Sequence, residues 1–314
     1  MTDFLQLHPA SPAPSSRLRF GAVHNGWAAD DTGLLALPVL AGVPEDPWWT
    51  DLVPVGAAGD WRLFQRGDGW LAGGAVVSAG GSLAAATETL YGALFTVLDG
   101  FSLARVWNYV PAINVERDGL ENYRAFCVGR ARAFEARYGA AAARQMPAAS
   151  AVGCDGDTLA VFFLATREAP RHFENPEQIP AWSYPPQHGP RPPSFARATT
   201  VRDGGETWRF ISGTSAIKGH RTLAAGDLAA QAACTFDNLR LVGAQLGLGP
   251  ALAVPPSVRR HWRVYLRHAH DLVPARELFA AAFPGEEAHA TFLRSDICRR
   301  DLALEIEATF QGRD

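Results

Sequence analysis

The chain has 314 residues, of which 47% are apolar and 19% charged, with a formal net charge of −3. A chain of that length forms one large or two ordinary domains and buries roughly 75% of its unfolded surface, so it needs no covalent staple. The balance excludes a disordered chain and a basic nucleic-acid binder, and apolar runs such as residues 34–43 reach only about half a membrane span. Residues 1–20 are rich in Pro and Ser and read as irregular, without the basic start and apolar core of a secretory signal. Trp61-Arg-Leu-Phe and Gly69 to Ser78 read as strands around a Gly-Asp-Gly turn. Ser82 is placed to cap a helix that Gly100 closes. Ala104 to Ile113 reads as a strand, Leu120 to Tyr138 as a helix, residues 145–153 as a loop of small residues, and Thr158 to Thr166 as a buried strand.

A crossing over residues 170–193 follows, with prolines at 170, 176, 180, 185, 186, 190, 192 and 193. Proline on this scale forbids a helix, and a connection of this length in a compact enzyme is functional or a linker. The second half then repeats the order of the first: Trp208-Arg-Phe-Ile against Trp61-Arg-Leu-Phe, a helix from Asp227 to Gln245, a strand over His261 to His268, a shorter helix over Val273 to Phe283, and a final strand from Leu302. Both halves read β-β-α-β-α-β, the pattern of a divergent internal duplication whose junction is the natural cleft.

Negative evidence narrows the chemistry. Cys127, Cys154, Cys234 and Cys298 form no C-x-x-C pair, which fits a reducing cytoplasm and not a disulfide framework or a zinc site. No nucleotide-binding glycine motif, HExxH or GxSxG is present. Ser215-Ala-Ile-Lys218 satisfies S-x-x-K, but the companion motifs of serine acyl-transfer enzymes are absent. The last segment carries the sharper signal. From Asp301 to Ala308, Leu302, Leu304, Ile306 and Ala308 alternate with Asp301, Ala303, Glu305 and Glu307. If the second face meets water, the carboxylates are ordinary surface groups; if it meets a cleft, Glu305 is a rigidly held acid. The four-residue spacing of Leu302 and Ile306 also permits a helix. Tyr123 and Arg130 share one helix face, and Tyr184, Arg191 and Arg197 lie on proline-stiffened backbone. Either set could form a carboxylate pocket or a solvated surface.

An ordered set of segments resembles one family: Arg105-Val-Trp-Asn-Tyr-Val-Pro-Ala-Ile-Asn114, DGLENYRAFCVGR ending at Arg130, Glu174-Asn-Pro, and Tyr184 through Arg197. To these add Ile211-Ser-Gly-Thr, Gly219-His220, Gly226-Asp227 with Gln231, Asn238-Leu239, and SDICRRDLALEIE. Together they resemble the chorismatases, which remove the pyruvyl group from chorismate. The resemblance implies an α+β fold of two RidA-like units with the active site at their junction, no metal and no organic cofactor. Composition, the proline-rich crossing and the resemblance, which runs from about residue 60 to the end, together divide the chain into an N-terminal segment 1–20, a RidA-like unit 21–169, the crossing 170–193 and a catalytic RidA-like unit 194–314. The resemblance makes Glu305 the general acid, places Tyr123, Arg130, Tyr184 and Arg197 on the substrate's carboxylates and ring, with Arg191 less clearly so, and lines the pocket with Gly213 and Thr214. Cys298 matches a cysteine of the hydroxybenzoate-forming branch, so the implied products are pyruvate and 3-hydroxybenzoate, with or without 4-hydroxybenzoate. The alternatives are a dihydrodiol-forming chorismate hydrolase, a RidA-like imine or enamine hydrolase, and a non-enzymatic binder. Two positions depart from the family pattern: Thr214-Ser215-Ala216 where Thr-Ala-Ser is expected, and His188 where tyrosine is usual. The only implied partner is chorismate itself, with no nucleic acid or membrane, and a monomer is compatible with the sequence.

Overall fold

A computed structural model of the chain describes residues 17–249 and 252–313. The principal strands are β1 (Val39–Ala41), β2 (Val53–Ala58), β3 (Trp61–Arg66), β4 (Trp70–Ser78), β5 (Ser102–Pro111), β6 (Ala148–Cys154), β7 (Thr158–Thr166), β8 (Arg171–Phe173), β9 (Ala198–Asp203), β10 (Glu206–Thr214), β11 (Arg259–Leu266), β12 (Ala290–Arg294) and β13 (Leu304–Gly312). The helices are α1 (Leu83–Val97), α2 (Asn122–Tyr138), α3 (Leu228–Gln245) and α4 (Leu272–Ala282). Of the segment expected to be irregular, residues 1–16 lie outside the described residues, and Leu18–Phe20 is a strand in a small separate sheet with Gly33–Leu35 and Gly26–Trp27.

Two mixed sheets dominate, with orders β6-β5-β7-β4-β3-β2 and β8-β9-β10-β13-β11-β12-β1. Within them β3-β4-β7-β5-β6 and β9-β10-β13-β11-β12 are the same arrangement. In each, a hairpin leads through a helix to a second strand, a second helix crosses to a parallel neighbour, and the last strand returns to the middle of the sheet. The duplicated order is therefore real, with two corrections. Each five-stranded repeat has one more strand than expected: β6 runs through residues read as a loop, and β12 was not anticipated; β1 and β2 lie outside the repeats and were not anticipated either. The pairing of Trp208 with Trp61 is also one strand out of step. Trp208 lies on β10, whose counterpart is the strand of Trp70, because β9 supplies the first strand of the second hairpin.

Helix starts follow local chemistry. The Ser82 hydroxyl accepts from Ala85 N–H and Asp227 from Ala230 N–H, each satisfying a donor that the first turn leaves free. Strand faces set the layers. On β7, Leu159, Val161, Phe163 and Ala165 pack under α1 and α2, while Ala160, Phe162 and Leu164 join an aromatic core with Trp49, Trp107, Trp208 and Tyr265 between the sheets. On β13, Leu304, Ile306, Ala308 and Phe310 pack under α3 and α4. Period-two geometry then turns Glu305, Glu307 and Thr309 toward the other sheet. The alternation starts at Leu304, and Leu302 instead joins the core between the sheets.

The sheets meet along β6. Its Ala148 and Ala149 N–H groups donate to Thr199 Oγ1 (2.7 Å) and Ser212 Oγ (2.9 Å), and Gly213 N–H donates back to Ser150 Oγ (3.1 Å). A strand edge that would otherwise expose its donors is thereby covered. β1, from early in the chain, pairs with β12 at the far edge of the second sheet.

Candidate active site

At this junction opens a cavity of about 960 Å³, lined by α2, the crossing, the end of β10, the loop after β12 and the start of β13. Tyr123, Arg130, Tyr184, Arg197, Gly213, Cys298 and Glu305 all line it. Sequence reasoning thus singled out residues from distant segments that come together around one cavity. Thr214 does not belong with them: its hydroxyl turns back to Ser212 O (2.8 Å), and strand alternation gives the cavity Gly213 and Ser215 instead. Arg191 is also outside the lining and pairs with Glu135.

Glu305 is 4% exposed. Burial, and then the neighbouring Glu307, push its carboxyl up to about 8, against Arg105 and Arg197. At neutral pH it therefore carries a proton. The carboxyl lies over Gly213, where a Cβ would collide with Glu305 Oε1 and Cδ, so glycine there is what lets the carboxyl occupy this position. Cys298 Sγ lies 3.9 Å from Glu305 Oε2. Burial and then Glu305 raise the thiol, so Cys298 stands there as a neutral SH and not a thiolate.

The cations differ in how free they are. Arg130 is 2% exposed, and its Nε and Nη2 are buried without a hydrogen-bond partner. It lies against the rings of Tyr91 and Phe134, 5.2 and 5.5 Å from their centroids. A buried guanidinium with unmet donors beside a cavity is built to receive an anion. Arg197 donates to Tyr184 Oη (2.8 Å) and stands 3.8 Å from Glu174 Oε2. Burial raises Glu174 to about 7 despite Arg197, so it neutralises that arginine only in part. At the mouth, Arg299 lies 5.4 Å from the Tyr184 ring centroid and donates to His220 O (2.9 Å). His188, which burial and then Arg299 hold down to about 4, pairs with His220 at 2.9 Å.

Behind Glu305 lies a charge cluster that sequence reasoning missed. Glu307 meets Arg105 Nη2 and Arg263 Nη1, each at 2.6 Å, and accepts from Trp107 Nε1 (2.8 Å) and from Ser150; Arg263 also pairs with Asp46. Burial alone would raise Glu307, but the two arginines outweigh it and its carboxyl lies below the usual range. The available signal was an arginine in the middle of each apolar strand, Arg105 in ARVWNYV and Arg263 in HWRVYL, since such a residue is buried only with a partner. Among the described residues no three His, Cys, Asp or Glu side chains gather as metal ligands would, and no helix is long and apolar enough to cross a membrane.

A family model described as "Chorismatase FkbO/Hyg5-like, N-terminal" matches residues 47–165. A chorismatase from Streptomyces rapamycinicus is 40% identical over 262 residues, covering 79% of this chain and 76% of that protein. The chain belongs to the chorismatase family. A second chorismatase, from Streptomyces hygroscopicus, is 40% identical over 78% of this chain and 72% of its own length. A 3-hydroxybenzoate synthase from the same species is 38% identical over 71% of this chain and 68% of its own. A chorismatase crystal structure superposes with a TM-score of 0.80 at 32% identity, covering 96% of both chains. A Mycobacterium tuberculosis member of the YjgF/YER057c/UK114 family aligns to 46% of this chain and 100% of its own at 18% identity, with a TM-score of 0.32. The protein is thus a chorismatase-type enzyme of α+β fold.

Proposed function

We propose that this chorismatase converts chorismate to pyruvate and 3-hydroxybenzoate, with Glu305 as the general acid. The observation that carries the reading is a buried carboxyl, pushed up to about 8, in a cavity that also holds a buried arginine with unmet donors. Chorismate has two carboxylates and an enol ether. Protonating the ether's methylene carbon makes the adjacent carbon an oxocarbenium ion, and oxygen attack on that carbon leads to release of pyruvate. The enzyme needs one acid that is neutral at working pH and cations that fix the two carboxylates. Glu305 supplies the first; Arg130 and Arg197 supply the second, and Tyr123 and Tyr184 flank the ring. A RidA-like imine hydrolase would have no use for this pair of arginines.

In this reading, units 21–169 and 194–314 enclose the site and the crossing 170–193 covers it. The hydroxybenzoate route adds no water overall, whereas the dihydrodiol route consumes one. Cys298, a neutral thiol against the acid, favours the first by occupying wall space beside the reacting atoms. Incubating the pure protein with chorismate, with products read by ultraviolet absorbance and mass, tests the reading. The expected products are pyruvate and an aromatic hydroxybenzoate. A dihydrodiol would overturn the product assignment, and no pyruvate would overturn the substrate.

A further inference from the structure

The cavity poses an electrostatic problem. An acid that must keep its proton sits among arginines placed to bind a dianion, and an opposite charge within about 4–6 Å lowers a carboxyl by 1–3 units. Glu305 is faced by Glu307 on its own strand, by Tyr265 on β11, Arg105 on β5, Arg197 before β9, Ser215 after β10, Cys298 and Arg299 in the loop after β12, and Tyr123 on α2. Among these groups Glu307 is the one anion; the cavity's other carboxylates, Glu116, Glu121 and Asp301, also line it, with Glu116 and Asp301 exposed to solvent. Glu307 is the next residue on the same strand face, buried, and fixed by Arg105 and Arg263. With Asp46 on Arg263, the cluster holds two anions against two cations, and so adds no net positive charge behind the acid.

A second coupling is geometric. Ser150 donates to Glu307 and accepts from Gly213 N–H, and Gly213 is the surface on which the Glu305 carboxyl lies. Ser150 itself reaches the cavity wall.

Resting on the reading of Glu305 as the acid, we propose that Glu307 is a positioning residue, whose fixed negative charge keeps Glu305 in its proton-bearing form while its bond to Ser150 seats the backbone beneath it. The charge of Glu307 is never consumed in the reaction, and Glu307 touches no reacting atom.

The test follows the Glu305 proton directly. The infrared stretch of its protonated carboxyl is assigned by its loss in Glu305→Gln, then titrated in wild type and in Glu307→Gln. The titration is expected to move about one pH unit to the acid side in Glu307→Gln, because removing the anion also leaves Arg105 uncompensated. Glu307→Asp, which keeps the charge, restores most of the wild-type position. The high-pH limb of kcat/KM for pyruvate release moves with the infrared midpoint. An unmoved midpoint with activity lowered equally at every pH makes Glu307 merely structural and overturns the proposal. If Glu307→Gln does not fold, Asp46→Asn carries the same test from outside the cavity: it leaves the cluster one positive charge in excess, a shift to the acid side supports the proposal, and no shift overturns it. The infrared titration needs no substrate, so failure of wild type to release pyruvate from chorismate sinks the functional reading and leaves the Glu307 result separately legible.

Discussion

The last strands of the two halves occupy the same place in the same sheet order, yet their inward faces differ. On β7 the face between the sheets carries Phe162 and Leu164, opposite Trp107 and Arg105 of β5; on β13 it carries Glu305 and Glu307, opposite Tyr265 and Arg263 of β11. Each half keeps an Arg-Val-aromatic run on its inner strand, and both arginines end on the single carboxylate of Glu307. One half has given this face to packing, with Phe162 against Trp27, Trp49 and Tyr109, and the other has given it to two carboxyl groups, one on the cavity wall and one paired with arginines. A duplicated scaffold can thus specialise by exchanging residues at equivalent ladder positions without disturbing either helix layer.

The widest separation between these strands is expected from paired substitutions. Glu305→Gln should lower kcat for pyruvate release about 10²–10⁴-fold, the range for loss of a general acid. It should also leave the fold intact, as judged by circular dichroism. Phe162→Ala should do the reverse, costing about 3–5 kcal/mol in denaturant unfolding, while the folded protein keeps its pH profile. Arg130→Met comes next: a roughly 10²-fold rise in KM is expected from loss of a charged, desolvated contact worth about 2–3 kcal/mol. An unchanged KM would show that the substrate lies elsewhere.

The pH dependence sharpens the contrast. If Glu305 is the general acid proposed above, kcat/KM should be level at neutral pH and fall with a one-proton slope above about 8. For stability the sign is opposite to that of an ordinary salt-bridged carboxylate. A folded value raised from 4.5 to about 8 means that the native state holds a proton the unfolded chain releases. Stability is therefore lost as pH rises through that window. Glu305→Gln should unfold at higher temperature than wild type at pH 9, by about 5 kcal/mol of stability, with the gap closing below about pH 4. Glu307, held below the usual range, contributes in the other direction, and its share is lost as pH falls. The smallest effect is expected at Cys298→Ala, which should change the product ratio more than the rate; identical product chromatograms would reduce the residue to packing.

Much of this was legible in the sequence where the signal is local. Ser82 and Asp227 start their helices through their own side chains, and the alternation Leu304, Ile306, Ala308 sets the buried face of β13 without reference to the rest of the fold. What could not be read depends on partners far along the chain. β6 is a run of small residues, AASAVGC, that becomes a strand only because β5 pairs on one side and the second sheet covers the other. Thr214 was placed in the pocket by resemblance, which does not say which way a ladder position points; its hydroxyl turns back to Ser212 O. The Glu307 cluster joins residues 202 and 44 apart, a pairing that no window of sequence contains.

The early strand β1 has a consequence of its own. It completes the edge of the second sheet, and Asp46 just beyond it supplies a counter-ion to Arg263 in the second half. The two halves are therefore interlocked and not merely adjacent. A gene divided at the crossing would yield a downstream piece missing both its outermost strand and one of its buried anions. Such a piece should fail to fold alone, and should be rescued by adding back the upstream piece that carries β1 and Asp46.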